Sequence, residues 1–128
     1  MKISVEEYID KYATEELKTK IKAGPPILRT IFEKSLERIH GLLEQRGKEY
    51  GLKAYVWRDI ETSDWEENII GVKATYKDYK EKTQLWQKIE EIVRSEVKNT
   101  CQREEVQDIN EINSNILTAV TRLRQIKQ

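Results

Sequence analysis

The chain has 128 residues, of which 23 are basic and 23 acidic, and 38% are hydrophobic. We expect residues 1–128 to form a single domain, because this length lies in the usual range for one. The zero net charge argues against a nucleic-acid binder that depends on overall charge, since such domains usually carry a basic excess. The sequence has no apolar run of about 20 residues, the length that a membrane-spanning helix needs.

The first third of the chain predicts two helices joined by a tight corner. Apolar residues recur at three- and four-residue spacing over residues 5–21 and 28–43, which is typical of amphipathic helices. A kink is expected near Ala13. The Gly-Pro-Pro sequence of residues 24–26 ends the first helix, because neither proline can donate a backbone hydrogen bond. The pattern therefore predicts a helical hairpin.

Two strands are predicted next, because the side chains begin to alternate. Residues 52–57 and 69–76 each place apolar side chains at every second position, as strands with one buried face do. An antiparallel hairpin with a long acidic loop is the simplest connection between them.

The helical period returns at Asp78, a residue type that favours helix caps, and a break is expected at Asn99-Thr100. Apolar residues then recur three and four apart up to Ile126, which predicts a C-terminal helix over about 103–126. We expect this helix to serve in oligomerisation or docking, because its apolar stripe needs a cover. The predicted order is ααββαα, an α+β fold. The residues expected to bind a partner along this helix are Ile112, Ile116 and Leu123.

The segment 59–67 holds five acids and no base. The favoured interpretation is a solvated hairpin tip, because charge there discourages edge-to-edge aggregation of strands. A basic protein partner is an alternative, and Trp65 would then be its anchor. A metal is the third alternative, since loop carboxylates can bind divalent cations. The candidate ligands are Asp59, Glu61, Asp64 and Glu67.

A second candidate surface lies on the more polar side of the predicted hairpin. Lys53, Tyr55 and Trp57 alternate along the first strand, and Lys73 falls on the same side of the second. Aromatic rings interleaved with lysines can hold single-stranded nucleic acid by stacking and phosphate contacts. The neutral chain and the acidic loop favour packing against a second copy or a partner protein instead.

Catalytic patterns are weak. The five glycines form no phosphate-binding loop, one histidine excludes metal sites that need two, and His40 with Cys101 would have to meet to act as a base and nucleophile. The leading hypothesis is therefore a non-enzymatic interaction protein without a cofactor, acting as a homodimer, a higher oligomer or a complex subunit. A cytoplasmic location is expected, because the first residues lack a signal-peptide pattern and one cysteine cannot form an internal disulfide. Nucleic-acid binding and a metal-dependent enzyme using the 59–67 carboxylates are the alternatives.

Overall fold

The computed structural model describes residues 5–58, 66–105 and 109–123. Within these ranges the fold is mixed α and β, with five helices and one three-stranded sheet. The helices are α1 (Val5–Tyr12), α2 (Glu15–Ala23), α3 (Pro26–Gln45), α4 (Tyr79–Arg103) and α5 (Ile109–Ser114). The strands are β1 (Tyr50–Arg58), β2 (Glu66–Ala74) and β3 (Ile116–Arg122).

The corner between α1 and α2 lies at the kink expected from the sequence. The Leu17 N–H donates to Thr14 Oγ1 at 3.3 Å, so Thr14 caps the start of α2 as threonine commonly does. The Thr14 N–H in turn donates to the Ala54 carbonyl at 2.9 Å. This bond ties the corner to β1. The predicted Gly-Pro-Pro corner is also confirmed, because α3 begins at Pro26.

The sheet has the strand order β1-β2-β3. The predicted hairpin is confirmed, since β1 and β2 are antiparallel with Lys53 opposite Gly71. In contrast, β2 and β3 are parallel, with Gly71 opposite Ala119. A parallel partner cannot be reached by a tight turn, and the chain crosses from β2 to β3 through α4 and α5.

The core lies between the helices and one face of the sheet, which we call the covered face. Every buried residue of the three strands has an even number, and successive strand residues point to opposite faces. Phe32, Leu36 and Ile39 of α3 pack here with Leu85, Ile89 and Val93 of α4. The buried strand residues are Ala54, Asn68, Ile70, Val72, Ala74, Ile116 and Val120.

The predicted two-stranded sheet and the helix over 103–126 are both wrong. Helix α5 ends at Ser114, and Ile116–Arg122 forms the third strand. Forming a strand here instead of a helix stabilises the sheet, because β2 would otherwise expose a row of unpaired backbone groups next to the core. Pairing with β3 satisfies that edge and buries Ile116 and Val120.

The expected break at Asn99-Thr100 is also wrong. Helix α4 continues to Arg103, and Val97, Thr100 and Cys101 are buried on its inner side. The chain reverses only at Glu105, whose φ of 55° is left-handed. Among the helices that the structure describes, none has the length and apolar character needed to cross a bilayer.

Candidate functional site: the open face of the sheet

The side of the sheet opposite the helices, which we call the open face, gathers most of the aromatic and lysine residues singled out in the sequence. Odd-numbered strand residues form it, because the strand register aligns them across β1, β2 and β3. Their side chains are half-buried or exposed rather than buried. Its members are Lys53, Tyr55, Trp57, Glu67, Ile69, Gly71, Lys73, Leu117, Ala119 and Thr121.

A shallow groove of about 230 Å³ crosses this face. Gly71 and Ala119 are paired across β2 and β3 and give the groove a floor without large side chains. The Tyr55 ring lies over Gly71, since a Cβ added there would come within 3.1 Å of Tyr55 Cε1. Lys53 and Lys73 also line the groove. A glycine at position 71 therefore lets the tyrosine ring lie flat against the strand.

The chemistry of the open face is apolar contact flanked by positive charge. Trp57 is 44% exposed, and Ile69 and Leu117 are half-buried. The Lys53 ammonium lies 5.9 Å from the Tyr55 ring centroid, a distance at which a cation and an aromatic face attract each other. Such a face can bind an apolar surface that carries negative charge nearby.

The sequence pattern predicted that one face of the hairpin carries Lys53, Tyr55, Trp57 and Lys73. The register of β1 and β2 confirms that they share a face. Their partner-binding role stays a prediction. The sequence pattern did not predict that this face includes Leu117, Ala119 and Thr121, because it predicted a helix where β3 lies. The β-branched residues between Ile116 and Thr121 are typical of a strand and were the available signal.

Of the three predicted partner residues in the C-terminal segment, Leu123 lies beside Lys73 and Thr121 of the open face, whereas Ile112 and Ile116 are not on this face. Ile116 is fully buried and Ile112 packs against the core, so neither offers a free surface. The Leu123 N–H donates to the Ala74 carbonyl at 3.0 Å, which extends the β2–β3 pairing by one bond. Trp65 lies outside the described residues.

The predicted metal site cannot be assembled from described residues. Asp59, Glu61 and Asp64 lie outside them, whereas Glu67 lies in β2. Across the described ranges, no group of three or more histidine, cysteine or acidic side chains is placed to hold a metal ion.

His40 belongs to an aromatic cluster rather than to a nucleophile–base pair. Its ring lies 5.4 Å from that of Tyr8, 6.1 Å from Tyr12 and 6.3 Å from Tyr50. The Tyr50 hydroxyl donates to Glu44 Oε1 at 2.6 Å. Burial, followed by this hydrogen bond, raises the pKa of Tyr50.

Cys101 is fully buried in the core. Burial raises the pKa of its thiol, and a protonated thiol is a poor nucleophile. The aromatic rings near His40 belong to three tyrosines.

Comparisons with known proteins identify no relative. No protein-family model matches the chain, and neither a curated protein nor a solved structure matches it.

Proposed function

We propose that the protein is a non-enzymatic interaction protein of the cytoplasm, acting as a subunit of a complex, and that the open face is its docking surface. One observation carries this proposal. The parallel pair β2–β3 is packed against helices on its covered face, while Ile69, Leu117 and Ala119 on its other side are only half-buried.

Parallel strands normally have both faces covered, because their connections place helices on the sheet. A helix supplied by a partner would complete the usual three-layer arrangement of helix, sheet and helix. The groove fits this occupant, since Ala119 leaves room for a side chain of an incoming helix beside the Tyr55 ring. Trp57 would then act as the aromatic anchor, a type of residue that often dominates interface energies.

The charges of the open face specify the partner further. Lys53 and Lys73 are exposed and line the groove from the neighbouring strands β1 and β2. An amphipathic helix with an apolar stripe and acidic residues along its flanks would match this pattern. Charge complementarity of this kind chiefly improves association rate and specificity.

Single-stranded nucleic acid is the second candidate, and the shared face of Tyr55, Trp57, Lys53 and Lys73 favours it. Bases stack on exposed aromatic rings while lysines contact phosphates. The chain has equal numbers of basic and acidic residues, so it lacks the basic excess that nucleic-acid-binding domains usually carry. The protein partner is therefore the preferred proposal.

The test compares capture by the native chain with capture by Trp57→Glu and by the double variant Lys53→Glu/Lys73→Glu. A control is Lys22→Glu, which reverses the charge of an exposed residue on α2 away from both the open face and β3. We expect a partner that both the native chain and the control retain and that both open-face variants lose. The reconstituted complex should then protect the Lys53 to Trp57 and Ile69 to Lys73 segments from hydrogen exchange.

Equal capture by all variants would contradict the proposal. Binding of a labelled single-stranded oligonucleotide that weakens steeply with salt and is lost in Trp57→Glu would favour the second candidate instead.

A further inference from the structure

The free edge of β3 presents backbone groups that are oriented for another strand. The Asn68 N–H donates to the Asn115 carbonyl at 3.3 Å, and the Leu123 N–H donates to the Ala74 carbonyl at 3.0 Å. Odd-numbered residues of β3 therefore direct their N–H and C=O groups towards β2. Because these groups alternate along a strand, those of Thr118, Val120 and Arg122 point away from the sheet.

Helix α4 occupies only the first part of this edge. An Arg94 N–H donates to the Ile116 carbonyl at 2.6 Å, and Trp86 Nε1 donates to the Thr118 carbonyl at 3.4 Å. Further along, the structure gives no hydrogen-bond partner among described residues to the backbone of Val120 or Arg122. An open strand edge of this kind is a template for pairing.

A groove of about 380 Å³ runs beside the open part of the edge, between β3 and α4. Tyr79, Lys82, Thr83 and Trp86 form its helical wall, and Val120 forms part of the other. Tyr79 is 78% exposed and Trp86 is 40% exposed. Two of the three most exposed large apolar side chains among the described residues therefore flank one strand edge.

Few of the devices that block edge pairing are present in β3 itself. The strand contains no lysine, acid or proline, the residues that proteins commonly place on exposed edges, and its one charged residue is Arg122 at the end.

We propose that a second copy of the chain occupies this edge, with the two β3 strands pairing antiparallel about a two-fold axis at Val120. The result is one continuous six-stranded sheet, and the strand of each copy enters the groove beside α4 of the other. The Val120 N–H and C=O groups then bond each other across the axis, and Thr118 of one copy pairs with Arg122 of the other.

Registers centred nearer the start of β3 conflict with groups that are already bonded. Centring the pair at Thr118 or Ala119 would require the Ile116 backbone, whose carbonyl already accepts from Arg94 at 2.6 Å. The Val120 centre does not use Ile116, although the incoming strand shares the Thr118 carbonyl with Trp86 Nε1, which donates to it at the longer distance of 3.4 Å.

The charges agree with the Val120 centre as well. It places Arg122 opposite Thr118 rather than opposite a second Arg122, so like charges do not face each other.

The aromatic side chains along the groove can add only their exposed parts to a dimer interface. Tyr79 is 78% exposed and Trp86 is 40% exposed, and an aromatic side chain buries about 150–250 Å² when fully covered. Together with two strand edges, these parts give an interface in the range of weak complexes, below about 1,200 Å². The dimer should therefore be reversible on dilution.

Sedimentation velocity of the full chain over a concentration series tests the proposal. We expect a species of twice the 15.2 kDa chain mass that dissociates on dilution. Tyr79→Glu should raise the dissociation constant about tenfold or more, the effect of removing an interface aromatic. Val120→Pro should abolish pairing, because it removes the central N–H while leaving the bonds to β2 intact. Trp57→Glu, on the far strand β1, is the matched control and should leave the constant within about twofold, as expected for a site distant from the pair.

Hydrogen exchange gives an independent measurement in the native chain. The amides of Val120 and Arg122 should become more protected as concentration rises, whereas those of β1 should not. A chain that stays monomeric up to about 1 mM, where even a weak dimer is populated, would overturn the proposal. A dimer that tolerates both Tyr79→Glu and Val120→Pro, or one that only Trp57→Glu disrupts, would overturn it equally. The open-face variants at Lys53, Trp57 and Lys73 lie outside the groove beside α4, so either proposal can fail while the other stands.

Discussion

The two faces of the sheet are made by the same three strands and differ only by one position along the chain. Ile70 is fully buried under the helices, while its neighbour Ile69 is half-buried on the open face. The covered face supplies stability, because burial of apolar area is the main favourable term in folding. The open face contributes less to folding, so its residues can meet the needs of a partner.

The two faces also differ in whether their charged side chains form ion pairs within the chain. On the covered side, Lys20 and Arg58 both contact Glu66, at 3.1 and 3.0 Å. On the open face, Lys53 and Lys73 form no ion pair with any residue that the structure describes. Charges that are paired internally support the fold, and unpaired ones can support binding.

The largest expected effect is on the free energy of unfolding, and it distinguishes Ile70 on the covered face from Ile69 on the open face. Ile70→Ala should reduce the free energy of unfolding by about 2–5 kcal/mol, because it opens a cavity in a close-packed core. Ile69→Ala, the matched control on the same strand, should cost about 1 kcal/mol, near the average for point substitutions. Urea unfolding of both variants measures the difference. Similar losses would mean that the two faces are not distinct in stability.

The next largest effect is expected from the hydrogen bonds by which Arg94 of α4 holds β3. Arg94 donates to the carbonyls of Asn113 and Ile116, at 2.7 and 2.6 Å, and also contacts Glu90. Arg94→Lys keeps the charge but loses the planar fork that makes these bonds. We expect a loss of about 1–3 kcal/mol, typical for hydrogen bonds to a charged group. If β3 amides exchange no faster in this variant, the anchor is not needed.

A pH effect is expected on the covered side. The Lys20 ammonium, which donates a hydrogen bond to Glu66, holds the pKa of that carboxyl below its ordinary value of 4.5, and Arg58 adds to this. The folded state therefore binds this proton less readily than the unfolded state. The stabilisation is fully present above pH 4.5 and is lost as pH falls through the lower, folded-state pKa.

Glu66→Gln should flatten this part of the stability profile, because glutamine does not titrate. Thermal unfolding between pH 3 and pH 6 would measure it. Glu67→Gln, which changes the next residue on the opposite face, is the control. An unchanged acid dependence in Glu66→Gln would show that the ion pairs do not contribute.

The smallest expected effect on stability is at the open face. Trp57→Ser should change the free energy of unfolding by no more than about 0.5 kcal/mol, as exposed substitutions usually do. It should also remove part of the fluorescence that acrylamide quenches, since Trp57 is 44% exposed. A loss comparable to that of Ile70→Ala would show that the open face is part of the core.

The hairpin could be predicted from the sequence because the pattern that specifies each strand lies within the strand itself. Alternating side chains mark both strands, and the register follows from keeping Val72 and Ile70 on the buried side. The same holds for the kink at Ala13 and the cap at Asp78, where the Glu81 N–H donates to the aspartate at 2.9 Å.

The third strand could not be predicted because its apolar residues fit both the spacing of a helix and the alternation of a strand. Ile112, Ile116 and Ala119 are spaced as on a helix, while Ile116, Thr118 and Val120 alternate as on a strand. Short apolar runs are ambiguous in this way, and tertiary context decides between them. Here the deciding context is the unpaired edge of β2, which is formed about forty residues earlier in the chain.

The parallel pairing of β2 with β3 has a kinetic consequence. The hairpin closes over a short stretch of chain, but β3 can dock only after the segment between Ala74 and Ile116 has closed into a loop. Contacts that are distant in sequence form slowly, because their loop-closure entropy must be overcome first. During that delay the edge of β2 at Ile70 and Val72 is unpaired and strongly apolar. The interval before β3 docks is therefore when this protein is most exposed to aggregation, and conditions that hasten the closure of α4 onto the sheet should improve its yield on refolding.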